Sequence, residues 1–174
     1  MTVAKMDLTL IIIEALEFVF PAYCANAVPV IVGGGPPLDF GRNFPDGRPV
    51  FGKNKTFRGF FSGLAVGAVA GLAETAVFGF QSFPALLGVL LSFGALMGDL
   101  MGAFLKRRIG LAPGELLPVI DQTDFIIGAL LLSLPVSLPL LSWEIVLTVL
   151  VITPPVHLLT NFAAYKLGLK RNPW

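Results

Sequence analysis

The stretch Ser92–Arg108, SFGALMGDLMGAFLKRR, is apolar apart from Asp99 until it ends on three consecutive cations, Lys106, Arg107 and Arg108. It reads as the end of a membrane-crossing helix that delivers its cations to the cytoplasmic face. Two other basic patches flank it in the chain. One is Arg42, Arg48, Lys53, Lys55 and Arg58; the other is Lys166, Lys170 and Arg171. Lys5 stands apart from all three. One apolar stretch separates Lys5 from the first patch, two separate the first from the second, and two more lie before the third. Five crossings therefore gather the three patches on one membrane face, with the N-terminus outside.

Composition agrees. The chain has 174 residues, 55% of them hydrophobic, and a mean hydropathy of +0.83. Only 13% are charged, against about 25% in a soluble chain. A helix needs roughly 20 apolar residues to cross the hydrocarbon core. The spans expected are about 8–32, 59–80, 83–105, 124–141 and 143–165. The expected architecture is an all-α integral membrane protein, one membrane domain over 1–174. Loops 33–58 and 106–123 and the C-terminus lie in the cytoplasm, and the two loops form a polar, charged cavity. The net charge of +1 gives no reason to expect a nucleic-acid partner, because the asymmetry across the bilayer carries the information.

Cys24 is the single cysteine, so one chain can form neither a disulfide nor a thiolate metal cluster. Residues 1–27 superficially suggest a signal peptide with Ala25-Asn26-Ala27 as its cleavage site. Asp7 offsets Lys5, however, Glu14 and Glu17 interrupt the apolar region, and the run continues to Val32. The segment reads as a retained helix, kinked at Pro21 and Pro29. Gly59, Gly63, Gly67 and Gly71 form a stripe of small residues suited to close helix packing. The turns at Gln81–Ser82 and Ser142–Trp143 are short and uncharged. The first loop, GGGPPLDFGRNFPDGRPVFGKNKTF over 33–57, and the second, KRRIGLAPGELLPVIDQT over 106–123, are long, charged and rich in Gly and Pro. Long loops without secondary structure of their own are usually disordered or functional. There is no internal repeat of the kind that builds inverted-repeat transporters.

Asp99 is the residue with most to explain, since a carboxylate in an apolar span costs several kcal/mol unless it is satisfied. Lys106 follows two helical turns later on nearly the same face. An ion pair that fixes packing would account for Asp99; so would a site at a basic mouth, and that is the reading preferred. Asp121 and Asp124, at i, i+3, would share a face if that segment is helical, and as acids at the start of the fourth span they also suit helix capping. With Asp99 they make three carboxylates, an oxygen-rich set that could hold Mg²⁺. Lys53, Asn54, Lys55, Thr56 and Arg58, at the start of the second span, are the candidate phosphate binders, joined by Lys106 and Arg107. The same run could instead anchor to anionic lipid. GRPVFGKN over 47–54 approaches a P-loop, but Asn54 stands where a Ser or Thr would hold the metal and no strand precedes it. Glu14, Glu17 and Glu74 fall toward the other face and read as interfacial or helix-pairing. His157 reads as a packed histidine, and Asn26 is near enough to the basic face to reach the cavity.

GDLMGAFLKR over 98–107 together with DQTD over 121–124 resembles the signature of the CDP-diacylglycerol synthase (phosphatidate cytidylyltransferase) family. Ala103 stands where that family has Ser, and its KD and PGHGG elements are absent. The first loop resembles that of the archaeal branch, the CDP-archaeol synthases, and the likeness spans roughly 22–128. The resemblance implies an Mg²⁺-dependent transfer of CMP from CTP to a lipid phosphate, an unsaturated archaeal diether, in the cell membrane. It also implies Asp99, Lys106, Arg107, Asp121 and Asp124 as the catalytic set, with Asp99, Asp121 and Asp124 on metal. An anion transporter would need charge along a whole path, whereas polar groups here concentrate on one side. A CDP-alcohol phosphotransferase is argued against by Arg48-Pro49-Val50 after Asp46-Gly47. A structural membrane anchor leaves Asp99 unexplained.

Overall fold

The computed structural model describes residues 7–174, so Lys5 lies outside the described residues. Those residues form five α-helices: α1 (Leu8–Val32), α2 (Phe57–Phe78), α3 (Ala85–Arg108), α4 (Ile120–Ser137) and α5 (Trp143–Lys166). Each is long and apolar enough to cross a membrane. Among the described residues there is no strand, only isolated β-bridges joining Pro37 to Thr56 and Asn43 to Pro49 in the first long loop.

Local chemistry sets the helix ends. Thr56 caps α2, its Oγ1 accepting from the Gly59 N–H at 3.1 Å, and so starts it ahead of the expected 59. Gly79, at φ 85°, ends α2 with the left-handed backbone that glycine adopts most readily. α3 carries Lys106, Arg107 and Arg108 in its last turn, where cations suit the negative helix end. α4 begins at Ile120 rather than near 124 because its first turn is closed by polar side chains. Gln122 Oε1 accepts from the Val119 N–H at 3.1 Å, and Asp121 Oδ2 from the Leu117 N–H at 3.0 Å. Asp121 and Asp124 are thus both helical. α1 continues unbroken through Pro21 and Pro29.

In lipid, helices are held together by close contact and hydrogen bonds rather than by escape from water. α1 touches all four other helices, and α3 is the most enclosed, packed against α1, α2 and α4. The glycine stripe of α2 permits this. A Cβ at Gly71 would lie 2.5 Å from the Gly88 Cα of α3, and one at Gly63 would lie 2.5 Å from the Ala25 carbonyl oxygen of α1. A second glycine seam, Gly94, Gly98 and Gly102 of α3, lies against α4. Tyr23 of α1 and Thr153 of α5 share a hydrogen bond of 2.9 Å. Large apolar side chains such as Val69 and Leu72 of α2, Leu131 of α4 and Val151 of α5 face outward, as a lipid-facing surface requires. Both long loops and the segment after α5 meet at one end of the bundle, where Arg48 reaches α3 and Asn172 reaches Gly114.

Candidate active site

The first long loop is built around one carboxylate. Asp39 Oδ2 accepts from the N–H groups of Phe51 (2.9 Å) and Gly52 (2.8 Å), and Oδ1 from Gly41 (2.9 Å). Burial pushes its pKa up, but the Gly52, Phe51 and Gly41 donors outweigh that and hold it below the usual carboxylate range. Backbone bonds from Leu38 N to Lys55 O (2.8 Å) and from Phe57 N to Pro36 O (3.2 Å) close the loop's base. A cleft of about 210 Å³ lined by Asp39, Lys53 and Pro113 lies where this loop meets the second.

The closed base turns Lys55 toward the bundle. Its ammonium donates to both oxygens of Asp99 at 2.6 Å. Beside it, Lys106 donates to Asp121 Oδ2 at 2.9 Å and to the Glu115 carbonyl at 3.1 Å. Asp124 lies against α3 at Gly98 and Gly102, within electrostatic reach of Asp99, Lys55 and Asp121. A side chain at Gly102 would collide with Asp124 Oδ2, so this glycine makes room for the carboxylate. Two ion pairs and a third acid therefore share the end of α3 and the start of α4.

Arg107 is only 3% exposed, and its Nε and Nη1 have no hydrogen-bond partner. Glu115 and Asp121 are within its electrostatic reach, but neither bonds those atoms. Arg108 has a different task. It donates to Asp46 Oδ1 and the Pro49 carbonyl, each at 2.5 Å, and sits over Phe44 with its guanidinium carbon 4.6 Å from the ring centroid. Arg48 caps the end of α3 by donating to the Arg107 and Arg108 carbonyls. These two arginines staple the first loop to α3.

The helix ends thus bring Lys55, Asp99, Lys106, Arg107, Asp121 and Asp124 together. Lys53, Asn54 and Arg58 are exposed and form no ion pair among the described residues, and the Thr56 hydroxyl is committed to capping α2. Sequence reasoning missed Gly102, whose meaning lies on the opposite helix, and Asp39, whose partners are all backbone. It also gave Lys170, in the third basic patch, no site role. The structure turns Lys170 inward, where it donates to Asn161 Oδ1 at 2.8 Å, while Arg171 stays exposed.

Against known proteins, the family described as CarS-like, CDP-archaeol synthase, matches residues 8–174. The chain belongs to the CDP-archaeol synthase family. The CDP-archaeol synthase of Pyrococcus furiosus is 44% identical over 169 residues, covering 94% of this chain and 98% of the relative. That of Methanococcus aeolicus is 43% identical over 180 residues, 97% of this chain and 100% of the relative. A solved intramembrane enzyme for archaeal membrane lipids biosynthesis superposes with a TM-score of 0.78 at 36% identity, covering 86% of this chain and 94% of that one. The chain is accordingly a multi-pass membrane enzyme of the CDP-archaeol synthase family.

For a member of that family the metal question turns on Asp99, Asp121 and Asp124. Among the described residues no three acidic, His or Cys side chains close into a metal cage. The expected three-carboxylate cluster is divided because Lys55 holds both oxygens of Asp99 and Lys106 holds one of Asp121. The donors nevertheless fit a hard divalent cation. All are carboxylate oxygens, and Asp121 Oδ1 is buried without a partner.

Proposed function

We propose that this enzyme transfers CMP from CTP to a membrane lipid phosphate, an unsaturated archaeal diether glycerol phosphate, to give a CDP-lipid and pyrophosphate. The observation that carries the reading is Arg107, a buried guanidinium with two unpartnered nitrogens, within electrostatic reach of Asp121, at the helix end that also holds the two lysine–carboxylate pairs. A buried cation whose donors are not used by protein is matched to an anion that arrives, and phosphate oxygens are the strongest such acceptors. Family membership supplies the chemical class; the residues supply the roles.

An oxygen of the lipid phosphate attacks the α-phosphorus of CTP, and the bond from that phosphorus to the oxygen bridging the β-phosphate breaks. Pyrophosphate leaves with the electron pair. No covalent enzyme intermediate is needed, so the protein's part is to hold two polyanions in line and to neutralise charge. Lys55, Lys106 and Arg107 are the cations placed to bind phosphate oxygens at the helix ends, with Lys53 and Arg58 at the mouth. Asp99, Asp124 and the free Oδ1 of Asp121 would hold Mg²⁺, which when bound draws charge from the phosphoryl oxygens. The two loops and the segment after α5 face the cytoplasm in this reading, where CTP is available.

The test is incorporation of labelled nucleotide into lipid by the purified full chain, with CTP, ATP, GTP and UTP compared. Label should enter lipid from CTP, with pyrophosphate released. Arg107→Ala should lower turnover by about 100-fold or more, the usual cost of one charge-stabilising donor. No incorporation from any nucleotide would refute the reading.

A further inference from the structure

Lys170 belongs to none of the expected site, yet the structure ties it to the same end of the bundle from two directions. α5 ends on a glycine turn: Gly168 adopts φ 73°, and the Leu169 N–H donates back to the Ala164 carbonyl at 2.9 Å. Glycine takes that left-handed conformation readily, and the chain reverses beyond it. On one side the Lys170 ammonium donates to the Trp174 main-chain oxygen at 2.5 Å. The indole of Trp174 and the amide of Asn172 both donate to the Gly114 carbonyl, at 3.3 and 3.1 Å. Glu115, the next residue, supplies the carbonyl that holds Lys106. On the other side Lys170 donates to Asn161 Oδ1, and Asn161 Nδ2 bonds the ring of His157 at 3.1 Å. His157 in turn lies 5.7 Å, ring centroid to centroid, from Phe125, the neighbour of Asp124.

Its two bonds go to the Asn161 amide oxygen and the Trp174 main-chain oxygen, and an ammonium has three donors, so one N–H remains. Lys55 and Lys106 are the same in this respect, each making two bonds. They differ in pairing with an Asp side chain; Lys170 pairs with no Asp or Glu side chain among the described residues. Burial first, then the Lys55 ammonium, push the Lys170 pKa down to about 8, with Asp121, Lys106 and Asp99 also within its field.

We propose that Lys170 is a phosphate-contacting residue of the active site, held there by the latch of segment 167–174 on Gly114. Its partner is an oxyanion of either the nucleotide triphosphate or the lipid phosphate. The inference rests on the proposed function, and the two can fail separately. If the unsubstituted enzyme does not incorporate CTP into lipid, the function fails. If it does, only the variants bear on Lys170.

Lys170→Ala, Lys170→Arg and Arg171→Ala are compared as full chains, with kcat/KM for CTP and for lipid phosphate, direct CTP binding and thermal unfolding all measured. Lys170→Ala should lower kcat/KM about tenfold or more for at least one substrate, as loss of one charge-assisted bond does, and Lys170→Arg should restore most of it. Arg171→Ala should stay within about twofold. Weakened CTP binding would place the contact on the triphosphate; an effect confined to the lipid KM would place it on the lipid phosphate. The proposal is overturned if Lys170→Ala keeps both kcat/KM values within about twofold of the unsubstituted enzyme. It is also overturned by a loss that Lys170→Arg does not restore and that tracks a lower unfolding temperature, which would make the segment a structural latch only.

Discussion

Asp99 and Asp121 each hold one lysine, so a change at either acts on two residues at once. Asp99→Asn keeps the shape but leaves Lys55 without its counter-charge. Turnover is expected to fall on the order of 100-fold, partly recovered at higher Mg²⁺. Steady-state rates across a Mg²⁺ series measure this, and full activity at low Mg²⁺ would leave Asp99 only an ion-pairing role. Gly102→Ala tests the space made for Asp124. Its Cβ would meet the carboxylate, so a loss of about 1–3 kcal/mol is expected from overpacking, along with reduced turnover. Thermal unfolding beside the activity assay separates the two effects. The need of Asp99 for a partner was legible in the sequence, because a carboxylate in an apolar run must be satisfied; that the partner is Lys55, from the first loop, was not. Gly102 was not, because its purpose is written on α4. The inward turn of Lys170 was not legible, because spacing from α5 says nothing about where a chain goes after it turns back at Gly168.

At the scale of elements, the first loop is organised around Asp39, whose carboxylate accepts from three backbone N–H groups. Asp39→Ala removes the acceptor of three backbone N–H groups and should open the loop, exposing Lys55 and the base of α2. Limited proteolysis within 40–53 is expected to quicken, with activity lost. The folded loop holds Asp39 below the usual carboxylate pKa. Its contribution is therefore complete above the ordinary aspartate range and is lost as pH falls through that range to the lower folded-state value. Protease susceptibility measured against pH should rise there and flatten in Asp39→Asn, which has no such titration. The five helices were legible from hydropathy alone, and α1 matches its expected limits. The start of α4 was placed too late because Asp121 and Gln122 read as loop polarity. In the structure their side chains close the first helical turn.

For the whole molecule, charge clustering anticipated which segments would meet: both long loops and the chain after α5 converge at one end. Cysteines introduced at positions 5, 48 and 171, in a Cys24→Ser background, are expected to label from opposite sides of sealed vesicles. Position 5 should react from outside and the other two only after permeabilisation. All three reacting from one side would overturn the five-crossing topology with its external N-terminus.

The pairing of Lys55 with Asp99 and of Lys106 with Asp121 also bears on how the enzyme responds to ionic strength. Free surface cations carry mobile counterions, and added salt competes with any polyanion for them. Here two of the central cations bring tethered counterions of their own. Binding a triphosphate exchanges one carboxylate partner for a phosphate partner and releases few ions to solution. Affinity for CTP should therefore fall less steeply with salt than the number of cations implies, because partly buried pairs are screened weakly. Titrations from low to high salt would show it. A steep slope would mean that exposed Lys53 and Arg58, rather than the paired lysines, dominate capture.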